Sequence, residues 1–186
     1  MAKQTLTAKS PLGGYIADPK GLSIREVTGF TTLSLGVFQG AENPLKAALK
    51  KKLKISLPDT AQASVVGDVS LLPVARDQWF LRFPEKDGDI AQDMAKDLKD
   101  LAAITDQSDS WAELELSGPK VIEKLVRLCP IDIHNDVFLV GAVARTSMEH
   151  LGVIMMRLED NSDGQNRFLL LSPRSSAESF LHALVS

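Results

Sequence analysis

The sequence predicts an α+β fold, with an extended N-terminal arm over residues 1–21 and a single domain over residues 22–186. Three observations lead there. Short apolar runs of period two recur along the chain, the pattern of strands with one face on a core. Two amphipathic helices each open on a proline, at Pro44 and Pro119, where a missing N–H costs little. The order strand, proline-initiated helix, strand pair, helix then occurs twice, over about 22–102 and 103–186.

The arm mixes Ser-Pro, Gly-Gly and Asp-Pro-Lys-Gly, which form turns and carry no apolar period. Alternation begins with Leu22, Ile24 and Val27, and Thr31 to Gln39 places Leu33, Leu35 and Val37 on one face. Asn43 is positioned to accept the first free N–H of the helix PLKAALKKKLK, whose Leu45, Leu49 and Leu53 form one seam under a lysine coat. Val65 to Leu72 and Gln78 to Phe83 read as two strands around a Pro73-to-Asp77 turn. In the acidic helix that follows, Ile90, Met94, Leu98 and Leu101 are spaced four, four and three.

The second programme starts with the strand at Trp111 to Leu116. A helix with Val121, Leu125 and Leu128 on one side follows, then strands at Val140 to Thr146 and His150 to Leu158. The run LGVIMM in the latter has no polar face, so both its faces are expected to be covered. The strand RFLLLSP and a helix over Ser175 to Val185 close the chain. QWFLRFPEK (Gln78 to Lys86) and RFLLLSPRS (Arg167 to Ser175) run parallel in pattern. This supports two diverged halves of split βαβ (ferredoxin-like) type.

Composition narrows the function. The 186 residues carry 21 Lys+Arg against 24 Asp+Glu, a net charge of −3 with no broad basic surface for nucleic acid. One Cys cannot form an intrachain disulfide, and no glycosylation acceptor is present, so a cytoplasmic location is expected. The longest apolar stretches fall far short of the roughly 18 residues of a membrane helix.

Candidate chemistry is sparse. CPIDIHND gathers Cys129, Asp132, His134 and Asp136 within eight positions, but Cys129 ends an apolar helix stripe, where dipole and burial both disfavour a thiolate. Cys129, His134, His150 and His182 show no paired metal-ligand spacing. No G-x-G-x-x-G, Walker-type loop or G-x-S-x-G elbow occurs. The run Lys50, Lys51, Lys52, Lys54 reads as a solvated helix face. Arg145, after an apolar strand, suits an ion pair within the fold or at an interface. No catalytic, cofactor-binding or metal-binding residue is assigned.

The stretch Thr105 to Glu159 resembles the gamma subunit of heterotetrameric sarcosine oxidase and, more remotely, the amino-terminal part of folate-dependent aminomethyltransferases. The echoes are Asp106-Gln107-Ser108, Ser117-Gly118-Pro119 and the Leu-rich helix to Leu128; CPIDIH and ARTS add to them. The likeness extends to Ser10-Pro11-Leu12, to Asp68–Leu81 and to RSSAESFLHAL at Arg174 to Leu184. It implies an aminomethyltransferase-like fold and an accessory chain that contacts an alpha subunit, alongside beta and delta. The implied assembly oxidises sarcosine to glycine, forms peroxide and passes the one-carbon unit to tetrahydrofolate. By the same resemblance FAD, FMN, NAD, zinc and tetrahydrofolate belong to partner subunits and no cofactor to this chain. The acidic element of the aminomethyltransferase folate site has no counterpart, and Ala183 stands where the family's closing aromatic is found. No catalytic residue therefore carries over.

Ser10, Pro11, Leu12, Trp79 and Arg145 are the candidate interface residues, with Trp111 as a further aromatic suited to a partner. The alternative is a stand-alone folate-binding or aminomethyl-transfer protein, for which Asp106 or Asp109 is the acidic candidate. An interaction domain unrelated to sarcosine is a third possibility.

Overall fold

The computed structural model describes residues 9–19, 21–59 and 61–186. Among the described residues, eleven strands form two antiparallel sheets. The first sheet contains β3 (Phe30–Val37), β4 (Ser64–Val66), β5 (Val69–Ala75), β6 (Gln78–Pro84) and β7 (Ala102–Asp106), in the order β4-β5-β6-β3-β7. The second contains β1 (Ile16–Ala17), β2 (Ser23–Val27), β8 (Trp111–Ser117), β9 (Val143–Met148), β10 (Leu151–Leu158) and β11 (Arg167–Pro173), in the order β1-β2-β8-β11-β10-β9.

Period-two burial turns these sheets into four layers. On the first sheet, Leu33, Leu35, Leu71 and Leu81 pack under Leu45 and Leu49 of α1 (Glu42–Leu53) and Met94 of α2 (Ile90–Asp97). On the second, Leu114, Leu116, Phe168 and Leu170 pack under α3 (Val121–Leu125) and α4 (Ala177–Val185). The opposite faces meet: Leu72, Val74 and Phe80 pack against Ile154, Met156, Leu169 and Leu171. β10 is thus covered on both faces, Val153 and Met155 toward the helices and Ile154 and Met156 toward the other sheet. Its continuous apolar run required this.

The matched segments Gln78 to Lys86 and Arg167 to Ser175 form β6 and β11, each interior to its sheet and each leading into a helix. The sheets share an order, β7-β3-β6-β5 in one and β2-β8-β11-β10 in the other. The outer strand differs in origin. β7 follows α2, whereas β2 precedes the whole first sheet and crosses to pair with β8. The strand expected to open the first half therefore belongs to the second sheet, and the 102/103 boundary falls inside β7.

Several expectations are corrected. Val65 to Leu72 is two strands, split by a turn at Gly67 and Asp68, and Pro73 lies inside β5 beside a bulge rather than in a turn. β7 was not expected; the acidic helix ends early, capped at its start by Asp89, whose carboxylate accepts from the Gln92 N–H at 2.9 Å. Asn43 does not cap α1; Ala41 occupies that position without a side-chain bond. α3 spans only Val121–Leu125. His150 stands in a two-residue hairpin turn with Glu149, both at positive φ, rather than on β10.

Of the arm, residues 1–8 and 20 lie outside the described residues. Residues 10–15 fold back on β2 and the second core. Glu26 on β2 accepts from Ser10 Oγ at 2.9 Å and from the N–H groups of Leu12 at 2.9 Å and Gly14 at 2.6 Å, while Leu12 and Tyr15 pack on the second core. One buried carboxylate satisfies a turn that has no apolar core of its own.

Ser117-Gly118-Pro119 has a structural cause. Gly118 has φ +117°, and a Cβ there would stand 2.5 Å from the Gly21 carbonyl oxygen, where the chain enters β2. Only glycine permits both the dihedral and the approach. Gly118→Ala is expected to lower the unfolding free energy by about 2 kcal/mol or more; urea denaturation monitored by tryptophan fluorescence checks this, and an unchanged midpoint counts against it.

Candidate functional site

The space between the sheets is apolar at one end and polar at the other. At the polar end Arg82 of β6 and Glu113 of β8 face each other, Nε to Oε2 at 2.7 Å, with both side chains buried. Thr32 Oγ1 donates to Glu113 Oε1 at 3.4 Å. The Arg82 guanidinium lies over the Phe30 ring, 3.4 Å from its centre, a cation–π contact that offsets part of its desolvation. Burial raises the Glu113 carboxyl above its ordinary 4.5, and the Arg82 charge and hydrogen bond oppose that rise.

This pair separates two clefts. One, of about 720 Å³, reaches Glu113 past Trp111, Phe30, Pro11 and the Asp106–Asp109 turn. The other, of about 670 Å³, reaches Arg82 past Ser70, Met156 and Val65. In the wall of the second cleft, Glu115 accepts from Arg25 at 2.7 Å and from Arg167 Nη2 at 2.9 Å.

The expected site residues are scattered. Ser10 and Pro11 line the first cleft, and Leu12 is half-buried on the second core. Trp79 is corrected: it is buried in the first core, its indole N–H donating to the Pro58 carbonyl at 3.2 Å, and offers no surface to a partner. Trp111, edge-on to Phe80, is half-buried in the first cleft. Arg145 is exposed on the edge strand β9, with no ion pair among the described residues.

Cys129 is buried in the second core, while His134 is exposed in a turn shaped by Asp132, whose carboxylate accepts the His134 N–H at 2.9 Å. Asp106 holds Ser108 in a similar turn. Among the lysines of α1, Lys52 pairs with Asp97. Among the described residues, no three of His, Cys, Asp and Glu are grouped as a metal ion needs, and no helix is long and apolar enough to cross a membrane. Sequence reasoning missed Arg82 and Glu113; the available signal was one charge inside the apolar run QWFLRFP.

Residues 38–184 match the sequence profile of the family described as "Sarcosine oxidase, gamma subunit family". The chain belongs to this family. Its role is that of a gamma-type accessory subunit in a sarcosine oxidase assembly. It is 27% identical over 173 residues to the sarcosine oxidase subunit gamma of Corynebacterium sp. (strain U-96), covering 91% of this chain and 80% of that one. A chain of the heterotetrameric sarcosine oxidase of Corynebacterium sp. U-96, solved with pyrrole 2-carboxylate, superposes with a TM-score of 0.80 at 22% identity, covering 96% of this gamma-type chain and 93% of that one. The aminomethyltransferase T of the Bartonella henselae glycine cleavage system superposes with a TM-score of 0.57 at 13% identity, covering 89% of this chain and 46% of that one. The α+β fold is shared by all three.

Proposed function

We propose that this gamma-type chain is a structural subunit of a heterotetrameric sarcosine oxidase, in direct contact with the alpha subunit and in company with beta and delta. The assembly would oxidise the N-methyl carbon of sarcosine, reduce dioxygen to peroxide, release glycine and transfer the carbon to tetrahydrofolate as the 5,10-methylene adduct. FAD, FMN, NAD, zinc and tetrahydrofolate are assigned to the partner subunits, and no catalytic residue to this chain. The observation that carries this reading is the near end-to-end likeness to a chain of the Corynebacterium enzyme, at a TM-score of 0.80. Each half is read as a split βαβ unit, supported by the common strand order and the matched β6 and β11. Ser10, Pro11, Leu12 and Arg145 are proposed for the partner side, Arg145 because it is exposed and has no ion pair among the described residues.

Coexpressed with the alpha, beta and delta subunits, this chain is expected to co-purify in fixed stoichiometry. A monodisperse monomer that ignores them overturns the reading. The second reading, a stand-alone folate protein, draws on the likeness to aminomethyltransferase T, of which this chain covers 46%. Saturable micromolar binding of tetrahydrofolate to the isolated chain, measured by calorimetry, would favour it.

A further inference from the structure

Strand register lines up four residues across the first sheet on the face toward the second: Thr32, Arg82, Ser70 and Val65, each directly opposite the next. Thr32 and the Arg82 Nε are spent on Glu113. The Arg82 Nη donors have no acceptor among the described residues, although the residue is only 8% exposed. Next to it the Ser70 Oγ is buried and unpartnered. A buried donor without an acceptor is costly, and the Ser70 hydroxyl, beside Arg82 Nη donors that open into the cleft, calls for an acceptor from outside.

One side of the mouth of this cleft is apolar. Val65 is 53% exposed and Val140 47%, and Leu139 and Val137 beyond them are 58% and 61% exposed. The loop carrying Val140 is tied to the chain before β4: Ala63 N–H donates to the Gly141 carbonyl at 2.7 Å, and Gln62 Nε2 to the Val140 carbonyl at 3.1 Å. The rim therefore joins the edges of both sheets. A largely buried arginine flanked by exposed apolar side chains is a common feature of interface hot spots.

We propose that the cleft beside Arg82 is the socket by which this subunit docks onto a neighbouring chain of its assembly, its occupant an Asp or Glu side chain flanked by apolar residues. The inference rests on the subunit reading above. Glu115, the carboxylate in the wall, is shared by Arg25 and Arg167 and does not reach Arg82. Asp68 and Glu159, also at the cleft, are exposed, where solvent screens them, and neither bonds Arg82. A carboxylate bridging the Arg82 Nη atoms and the Ser70 hydroxyl would give each of these groups an acceptor, while Val65 and Val140 would bury its flanks.

The test is association of purified variants with the coexpressed partner subunits. Ser70→Asp supplies an internal carboxylate to Arg82, and Val140→Asp puts a like charge on the exposed rim without touching the core. Each is expected to weaken association at least tenfold, with Ser70→Ala, which removes one donor to the occupant, weakening it by less than either, and the Val140→Asp thermal midpoint unchanged. If both Asp variants associate as tightly as the unmodified chain, the socket is overturned and the subunit reading stands. If the unmodified chain does not associate at all, the subunit reading fails and the socket with it. Stabilisation of the isolated chain by millimolar acetate, lost in Ser70→Asp with assembly unaffected, would assign the cleft to free carboxylates and also overturn docking.

Discussion

Replacing Arg82 with Met is expected to lower the unfolding free energy by about 3–5 kcal/mol at pH 8, because it leaves the Glu113 charge buried without its partner. The guanidinium and carboxylate meet at 2.7 Å between two sheets that shield both from water. Thr32, at 3.4 Å, is the one other donor to the carboxylate among the described residues. Urea denaturation across a pH series checks the magnitude and its cause. Glu113 titrates above its ordinary 4.5 in the folded chain, so between 4.5 and the folded value the folded state holds a proton that the unfolded state has released. Stability therefore falls as pH rises through that window, and the penalty is complete above it. Removing Arg82 takes away the charge that restrains the rise. The window of Arg82→Met should extend to higher pH, with the cost of the substitution smaller at pH 5, where Glu113 is closer to neutral. Glu113→Gln should remove this slope. An Arg82→Met/Glu113→Leu double variant should recover most of the loss, since an apolar pair needs no solvation. A loss that is the same at pH 5 and pH 8 would mean that packing, not the stranded charge, sets the cost.

Phe168→Ala is expected to cost about 3–5 kcal/mol, the range for emptying an aromatic site in a close-packed core. Phe168 is fully buried on β11, stacked on Phe138 with centres 6.3 Å apart, and lies beneath the Arg157 guanidinium at 5.2 Å. Arg157 bonds the Arg167 carbonyl, Asp160 and Asn166, so the ring also supports the network that holds the β10–β11 connection. Calorimetric unfolding of the isolated chain measures the effect. Phe168→Leu keeps most of the apolar volume and should lose far less. Equal losses in the two variants would point away from cavity formation.

The legibility of this protein in its sequence follows the range of the forces involved. Period-two and period-3.6 patterns are local, so β3, β6, β8, β10, β11, α1 and α4 could be read directly, and LGVIMM could be assigned to a strand covered on both faces. β7 escaped because its residues Ala-Ala-Ile-Thr-Asp have one buried side chain and are held chiefly by pairing with β3. The split of β4 from β5 escaped because a two-residue turn at Gly67 and Asp68 is shorter than the pattern it interrupts. Trp79 was misplaced because composition does not distinguish an interface aromatic from a core one. Its burial is decided by the helices above it.

The sequence by itself determined the α+β class, the similar residue pattern of the segments that form β6 and β11, and a cysteine and three histidines without the common catalytic spacings. The tertiary structure decided that β2 leaves its neighbours for the second sheet, that Gly118 must lack a side chain where that strand enters, and that Arg82 faces Glu113 while its remaining donors open into a cleft. The physical reason is common to all three. Alternation along a strand says which residues share a face, but which two faces meet is settled by the packing of whole sheets, and no local period carries that information.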